Sequence, residues 1–153
     1  MATAKHILVA HDFSDTAEGA LLYALDLAEK LGAALTIVHA YEVPIYGFPE
    51  GPALVPEMAA QLEQASRTAL DAVVRRAVRP NLRPAACLRQ GPAWSEINAT
   101  AKEVGADLIV LGTHGRKGVA RALLGSVAEK VVRTAQCPVL TIHVHAPETK
   151  PHA

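Results

Sequence analysis

Five short apolar runs, separated by stretches of helical periodicity, constrain the fold of this chain more than any other feature. The runs are His6–Ala10, Leu35–Tyr41, Pro84–Gln90, Leu108–Leu111 and Pro138–Val144. Brief, largely apolar runs of this kind read as strands covered on both faces. Between the first two, Ala17, Ala20, Leu21, Ala24, Leu25, Ala28 and Leu31 recur at helical spacing. Ser14 or Asp15 can cap that helix and Gly32 stops it. A second helix is predicted from Pro56 to about Val78, a third over Trp94–Val104 ending at Gly105, and a fourth over Ser126–Gln136. Strands alternating with helices call for a parallel sheet built by right-handed crossovers, with helices on both faces. The pattern alone leaves the strand order open. Glu42–Pro56 carries Pro44, Gly47, Pro49, Gly51, Pro52 and Pro56, and is expected to be a long surface loop without regular structure.

The strongest functional signal lies in Asp107–Val132. A buried strand breaks at Gly112, and a loop holding Gly115, Gly118, Arg116, Lys117 and Arg121 leads to a helix opening at Gly125-Ser126. Glycines admit close backbone approach, and a helix start offers unpaired N–H groups at the positive end of its dipole, so this order builds an anion site. Ser126-x-x-Glu129 also has capping-box spacing, a structural role compatible with phosphate contact. The spacing is not that of a P-loop: Gly112 and Gly118 stand one residue too far apart, and Val119 follows where Lys is required. A dinucleotide fingerprint is missing too, since the first strand runs into His11-Asp12-Phe13.

What stands instead is G-T-H-G, nine residues, then G-S: Gly112, Gly115, Gly125 and Ser126. This spacing resembles the nucleotide-binding signature of the universal stress protein family. The opening KHILVAHDFSDTAEGALLYALDLAEKLGAALTIVHAY is similar to that family's first strand, helix and second strand, so the likeness covers nearly the whole chain. The resemblance implies a doubly wound, five-stranded parallel α/β sheet of order 3-2-1-4-5, Rossmann-like and of the adenine nucleotide alpha hydrolase type. In that order the winding reverses between strands 1 and 4, and the general rule for such sheets places a ligand at their carboxyl ends, by Asp12 and Gly112.

The resemblance further implies ATP as ligand, with Mg²⁺. Ala10, His11 and Ala40 would lie against base and ribose, as would Leu111 and Val127, whose alternative is ordinary core. Asp12 would meet ribose hydroxyls or hold the metal, its alternative being a cap on the following helix. Gly112, Gly115, Gly125 and Ser126 would contact phosphates through backbone N–H groups and the serine hydroxyl. Arg116, Lys117 and Arg121 could screen the phosphate charge, although loop cations are commonly just solvated. His114 is expected to turn its ring outward. His143 and His145 alternate on the last strand and lack a third ligand for a metal. That strand, Pro138–Val144, would be a sheet edge, and the family pairs such edges, which implies a homodimer.

Composition bounds the rest. The 153 residues suit one domain, expected over residues 1–145, with a polar, proline-containing tail over Ala146–Ala153 expected to be disordered. Half the residues are hydrophobic and a fifth charged, as in a folded globular chain. Zero net charge argues against nucleic-acid or acidic-membrane partners. Cys87 and Cys137 form no evident framework and read as reduced cytoplasmic cysteines. The first apolar run stops too soon for a signal peptide, and none is long enough to span a membrane. Three functions fit: an ATP-binding stress-response regulator acting on an unidentified protein partner, a slow ATPase or nucleotidyl-transfer enzyme, or a dimeric interaction protein without nucleotide. The enzyme reading lacks a second metal ligand and a group to orient an attacking water.

Overall fold

A computed structural model of the chain describes residues 3–114 and 124–144. Eleven elements follow in order: β1 (His6–Ala10), α1 (Asp15–Leu31), β2 (Ala34–Tyr41), β3 (Tyr46–Phe48), β4 (Gly51–Ala53), α2 (Pro56–Ala77), β5 (Ala85–Gln90), α3 (Ala93–Val104), β6 (Leu108–Gly112), α4 (Ser126–Thr134) and β7 (Val139–Ile142). The main sheet has the order β5-β2-β1-β6-β7 with every pairing parallel. Counting only these five strands, that is the expected 3-2-1-4-5.

Side-chain alternation along the strands separates two packed layers. Ile7 and Val9 of β1 and Val110 of β6 join Leu21, Leu25, Leu70 and Val73 in a core beneath α1 and α2. Leu8, Ile109 and Leu111 point the other way, to Ile97 and Ala101 of α3 and Ala128 and Val131 of α4. The starts of β1 and β6 are stapled by Asp107, whose Oδ2 accepts the N–H groups of Lys5 (2.6 Å) and His6 (3.0 Å). These two bonds hold its carboxyl below the usual carboxylate range. On the far edge, Arg89 of β5 donates to Glu96 (2.9 Å) and Glu103 (2.8 Å), fixing α3 along the sheet.

Three local expectations are corrected. Glu42–Pro56 is not without regular structure: β3 and β4 form a small antiparallel hairpin in which Gly47 faces Pro52. Alternate positions of an antiparallel pair make no ladder bonds, so a proline there is tolerated, and Gly51 at φ 119° makes the return. The last helix stops at Thr134 instead of Gln136, with Ala135 already extended ahead of Pro138. A proline at 138 cannot continue the helix, because its ring would clash with the carbonyl of residue 134, and the helix ends there. The last strand ends at Ile142, opposite Gly112, where β6 itself ends and offers no further partner. Val144 then packs back on α1, where Gly19 leaves room for its methyl. The tail Ala146–Ala153 and His145 lie outside the described residues.

Candidate functional site

The turn after β1 is held by two histidines. His11 continues the strand by giving its N–H to Val38 O (2.9 Å), and Phe13 then takes φ 67°. Phe13 alone among the described non-glycine residues has a positive φ. Its N–H donates to His11 Nδ1 (3.0 Å), which places the imidazole proton on Nε2, 3.0 Å from Glu18 Oε2. Arg76 of α2 completes the chain with a 3.0 Å bond to the same Glu18 oxygen. Behind the turn His39 Nδ1–H donates to His11 O (2.7 Å), and its ring stacks 4.2 Å from that of Phe13.

Burial pushes the His11 imidazole below its ordinary value, and the Glu18 carboxylate offsets part of that fall. Burial works to raise Glu18, yet the bonds from Arg76 and His11 hold its carboxyl below the usual range. With the turn so braced, Asp12 Oδ1 accepts from both Ser14 N–H (3.0 Å) and Ser14 Oγ–H (2.5 Å). Ser14 is the helix cap, its Oγ accepting Ala17 N–H (3.1 Å). Asp12 therefore orients the cap rather than serving as one.

The facing wall is built at the end of β6. Gly112 passes so close to α1 that a Cβ would stand 2.6 Å from Thr16 Cγ2 and 3.2 Å from its backbone carbonyl carbon. Thr113 gives its N–H to Ile142 O (2.9 Å) and accepts Gly125 N–H (2.5 Å), tying the strand end to the start of α4. Gly125, extended at ψ 159°, is the N-cap. Ser126 is thus the first helical residue and Glu129 the fourth, one place too late for the expected capping box. Any side chain at Gly125 would strike Thr113 O, 2.7 Å from a Cβ, which is why a glycine and not a serine occupies the cap. The Gly125 N–H is consumed by Thr113. Donors left by helix geometry are the N–H groups of Ser126, Val127 and Ala128, ahead of the first intrahelical bond from Glu129 N–H to Gly125 O (2.9 Å). The positive end of the helix dipole lies here.

Between these walls is a cavity of about 430 Å³, within the range of small-molecule and cofactor sites. Ala10, His11, Asp12, Ala40, Leu111, Gly112, Gly125, Ser126 and Val127 all border it. Gly115, Gly118, Arg116, Lys117 and Arg121 lie outside the described residues. One end is small and apolar, formed by Ala10, Val38, Ala40, Ala93, Ile97 and Leu111. The other carries Asp12 and the start of α4. Sequence reasoning missed Val38, although it stands two residues before Ala40 on the same strand face. Ala93 and Ile97 show the i, i+4 spacing of one helix side and were recoverable the same way. The expected outward turn of His114 is also corrected: it borders the cavity, and its Nε2 is buried without a hydrogen-bond partner among the described residues. Short tethers hold it in, since Nδ1 lies 3.0 Å from Thr113 Oγ1. His143 lies past the end of β7, with Nδ1 3.0 Å from the same hydroxyl, and its expected companion His145 lies outside the described residues. No cluster of three potential metal ligands occurs among the described residues.

Chemically the cavity can seat a flat apolar group at one end, hydrogen-bond hydroxyls at Asp12, and meet an anion at the head of α4. Residues 3–143 match the sequence profile of the Universal stress protein family. A universal stress protein of Thermus aquaticus is 40% identical over 139 residues, covering 90% of this chain and 98% of the relative. The structure of a universal stress protein from Lactobacillus plantarum superposes with a TM-score of 0.79 at 30% identity, covering 93% and 99% of the two chains. A universal stress protein from Archaeoglobus fulgidus, solved in complex with dAMP, matches with a TM-score of 0.60 at 26% identity over 92% and 98%. Motif, strand order and these likenesses agree: the chain belongs to the universal stress protein family.

Proposed function

We propose that this chain binds an adenine nucleotide, ATP with Mg²⁺, and serves as a cytoplasmic regulatory module of the stress response. The observation that carries the reading is the joining, in one cavity of about 430 Å³, of a small-residue apolar end to a carboxylate and a helix N-terminus. An adenine ring needs the first, a ribose the second and phosphates the third. The relative in complex with dAMP supports adenine as the base.

In this reading Ala10, Ala40 and Leu111 flank the base, with Val38 beneath it and Val127 near the ribose. His11 contributes its backbone, because its ring is engaged with Glu18 and Phe13. Asp12 receives ribose hydroxyls, and Ser126 and Val127 offer N–H groups to the phosphates. Gly112 and Gly125 supply close approach, and Gly115 extends the phosphate contacts by its motif position. Asp12 is the acidic residue among the described lining, which suits Mg²⁺, an ion usually held by one or two carboxylates together with phosphate oxygens and water. Bound nucleotide would alter the surface around the cavity that a protein partner reads. Residues 1–145 act as one domain, and two copies pair along the β7 edge.

Calorimetric titration with ATP and Mg²⁺ tests this, beside an Ala40→Phe variant that fills the apolar end. Saturable binding by the parent and its loss in a folded variant is expected. A folded, nucleotide-free parent that takes up no adenine nucleotide would refute the proposal.

A further inference from the structure

The ring of His114 is the part of the cavity wall that the nucleotide reading leaves without a task. Its Nε2 is buried and makes no hydrogen bond among the described residues, while Nδ1 lies 3.0 Å from Thr113 Oγ1. The same hydroxyl lies 3.0 Å from Nδ1 of His143, and the two rings meet edge-on with centroids 5.6 Å apart. Thr113 is pinned by its N–H on Ile142 O and by Gly125 N–H on its carbonyl. The His114 backbone is close to the head of α4: its Cα stands 3.5 Å from the point where a Gly125 side chain would begin. The backbone of residue 114 is therefore held beside the start of that helix, and Thr113 tethers its ring.

A threonine hydroxyl has one proton, and here it faces two imidazole Nδ1 atoms. At least one ring must present Nδ1–H to it. When His143 is that ring, Thr113 turns its own proton to His114 Nδ1, and a neutral His114 carries its proton on Nε2. A buried N–H without an acceptor is unfavourable, and an oxyanion at the head of α4 would satisfy it. We propose that His114 is a phosphate-binding residue: Nε2–H donates to an oxygen of the nucleotide's phosphate chain, and the Thr113–His143 pair sets the tautomer that allows it. The inference rests on the nucleotide reading above and adds a side chain that separates a phosphorylated ligand from a bare nucleoside.

The test titrates the parent and the variants His114→Phe, His114→Gln and His114→Asn with ATP and with adenosine. His114→Phe keeps the ring volume and is expected to weaken ATP binding roughly tenfold to a hundredfold, the worth of a hydrogen bond to a charged group, with adenosine binding unchanged. His114→Gln, whose amide N–H can reach the Nε2 position, should recover part of the loss. His114→Asn, which mimics Nδ1, should not. Equal weakening of both ligands, or of neither, overturns the assignment. If the parent binds neither ligand, the nucleotide reading itself fails and this one falls with it. A second measurement does not depend on variant folding. In ¹⁵N-histidine spectra of the parent, ATP should shift a protonated His114 Nε2 that adenosine leaves in place. A proton found on Nδ1 instead, or no shift with ATP, refutes the donor role.

Discussion

Acidification should loosen this protein through His11, and the size of the effect follows from its hydrogen bonds. His11 is 3% exposed and accepts Phe13 N–H at Nδ1, so a second ring proton would point at a donor. The folded state therefore holds the imidazole neutral below its ordinary value of 6.5. In the unfolded chain the same group takes up a proton as pH falls past 6.5. Between 6.5 and the lower folded value the unfolded state binds more protons, so stability present above this window is lost as pH falls through it. One such group contributes at most about 1.4 kcal/mol per pH unit. From pH 7.5 to 5.5 the ceiling is therefore about 1.4 kcal/mol, equivalent to ~3–6 °C in melting temperature for a domain of this size. The comparison is His11→Asn, whose Oδ1 can still accept Phe13 N–H but cannot titrate. Urea melts of parent and variant at pH 7.5, 6.5 and 5.5 cancel the other histidines, and the parent should lose more stability. Equal pH slopes, or a parent that gains stability on acidification, would refute the tautomer and burial argument. Below about pH 4.5 a further loss is expected from Glu18, whose folded carboxyl is held low by Arg76 and His11.

Two further outcomes follow from packing. Gly112→Ala drives a methyl to 2.6 Å from Thr16 Cγ2 and should cost about 1–3 kcal/mol in denaturant melts, part of it recovered by Thr16→Ser; a variant as stable as the parent would contradict the close approach. The proposed homodimer through β7 should sediment at twice the chain mass, with β7 amides exchanging more slowly as concentration rises, whereas a monomer with concentration-independent exchange would end that proposal.

Much of the fold could be read from the sequence because its strands are apolar on both faces. Runs such as Leu108–Leu111 admit few places in a sheet other than the interior, and Gly32 and Gly105 end their helices in the left-handed conformation that favours glycine. Strand order came from the resemblance, since alternation of strands and helices is compatible with several windings. The hairpin at Tyr46–Ala53 escaped because residues that break long strands are tolerated in a three-residue antiparallel pair. The cap of α4 was misplaced by one residue for a different reason. Ser126 and Glu129 have the right spacing, but Thr113, twelve residues before Gly125, takes the Gly125 N–H and leaves Gly125, not Ser126, as the cap. His114 could not be oriented for a similar reason, as its ring is placed by a hydroxyl that also meets His143, 30 residues away. The His11–Glu18–Arg76 chain joins α1 to α2 across 58 residues and leaves no local pattern.

The sheet also acts as a partition. Most of the fully buried side chains lie beneath α1 and α2, while the cavity opens on the α3 and α4 side. Adhesion of the chain to itself and recognition of a ligand are thus delegated to opposite surfaces of the same five strands. A lineage can exchange Leu21, Leu70 or Val73 for neighbours of similar bulk and change durability without redrawing the binding surface. It can equally recast Ala40 or Ile97 to admit another ligand while the opposite layer keeps the scaffold standing. The exception is the end of β1, where His11 leans on α1 and Asp12 borders the cavity. There a single peptide link serves both sides, and divergence has the least freedom.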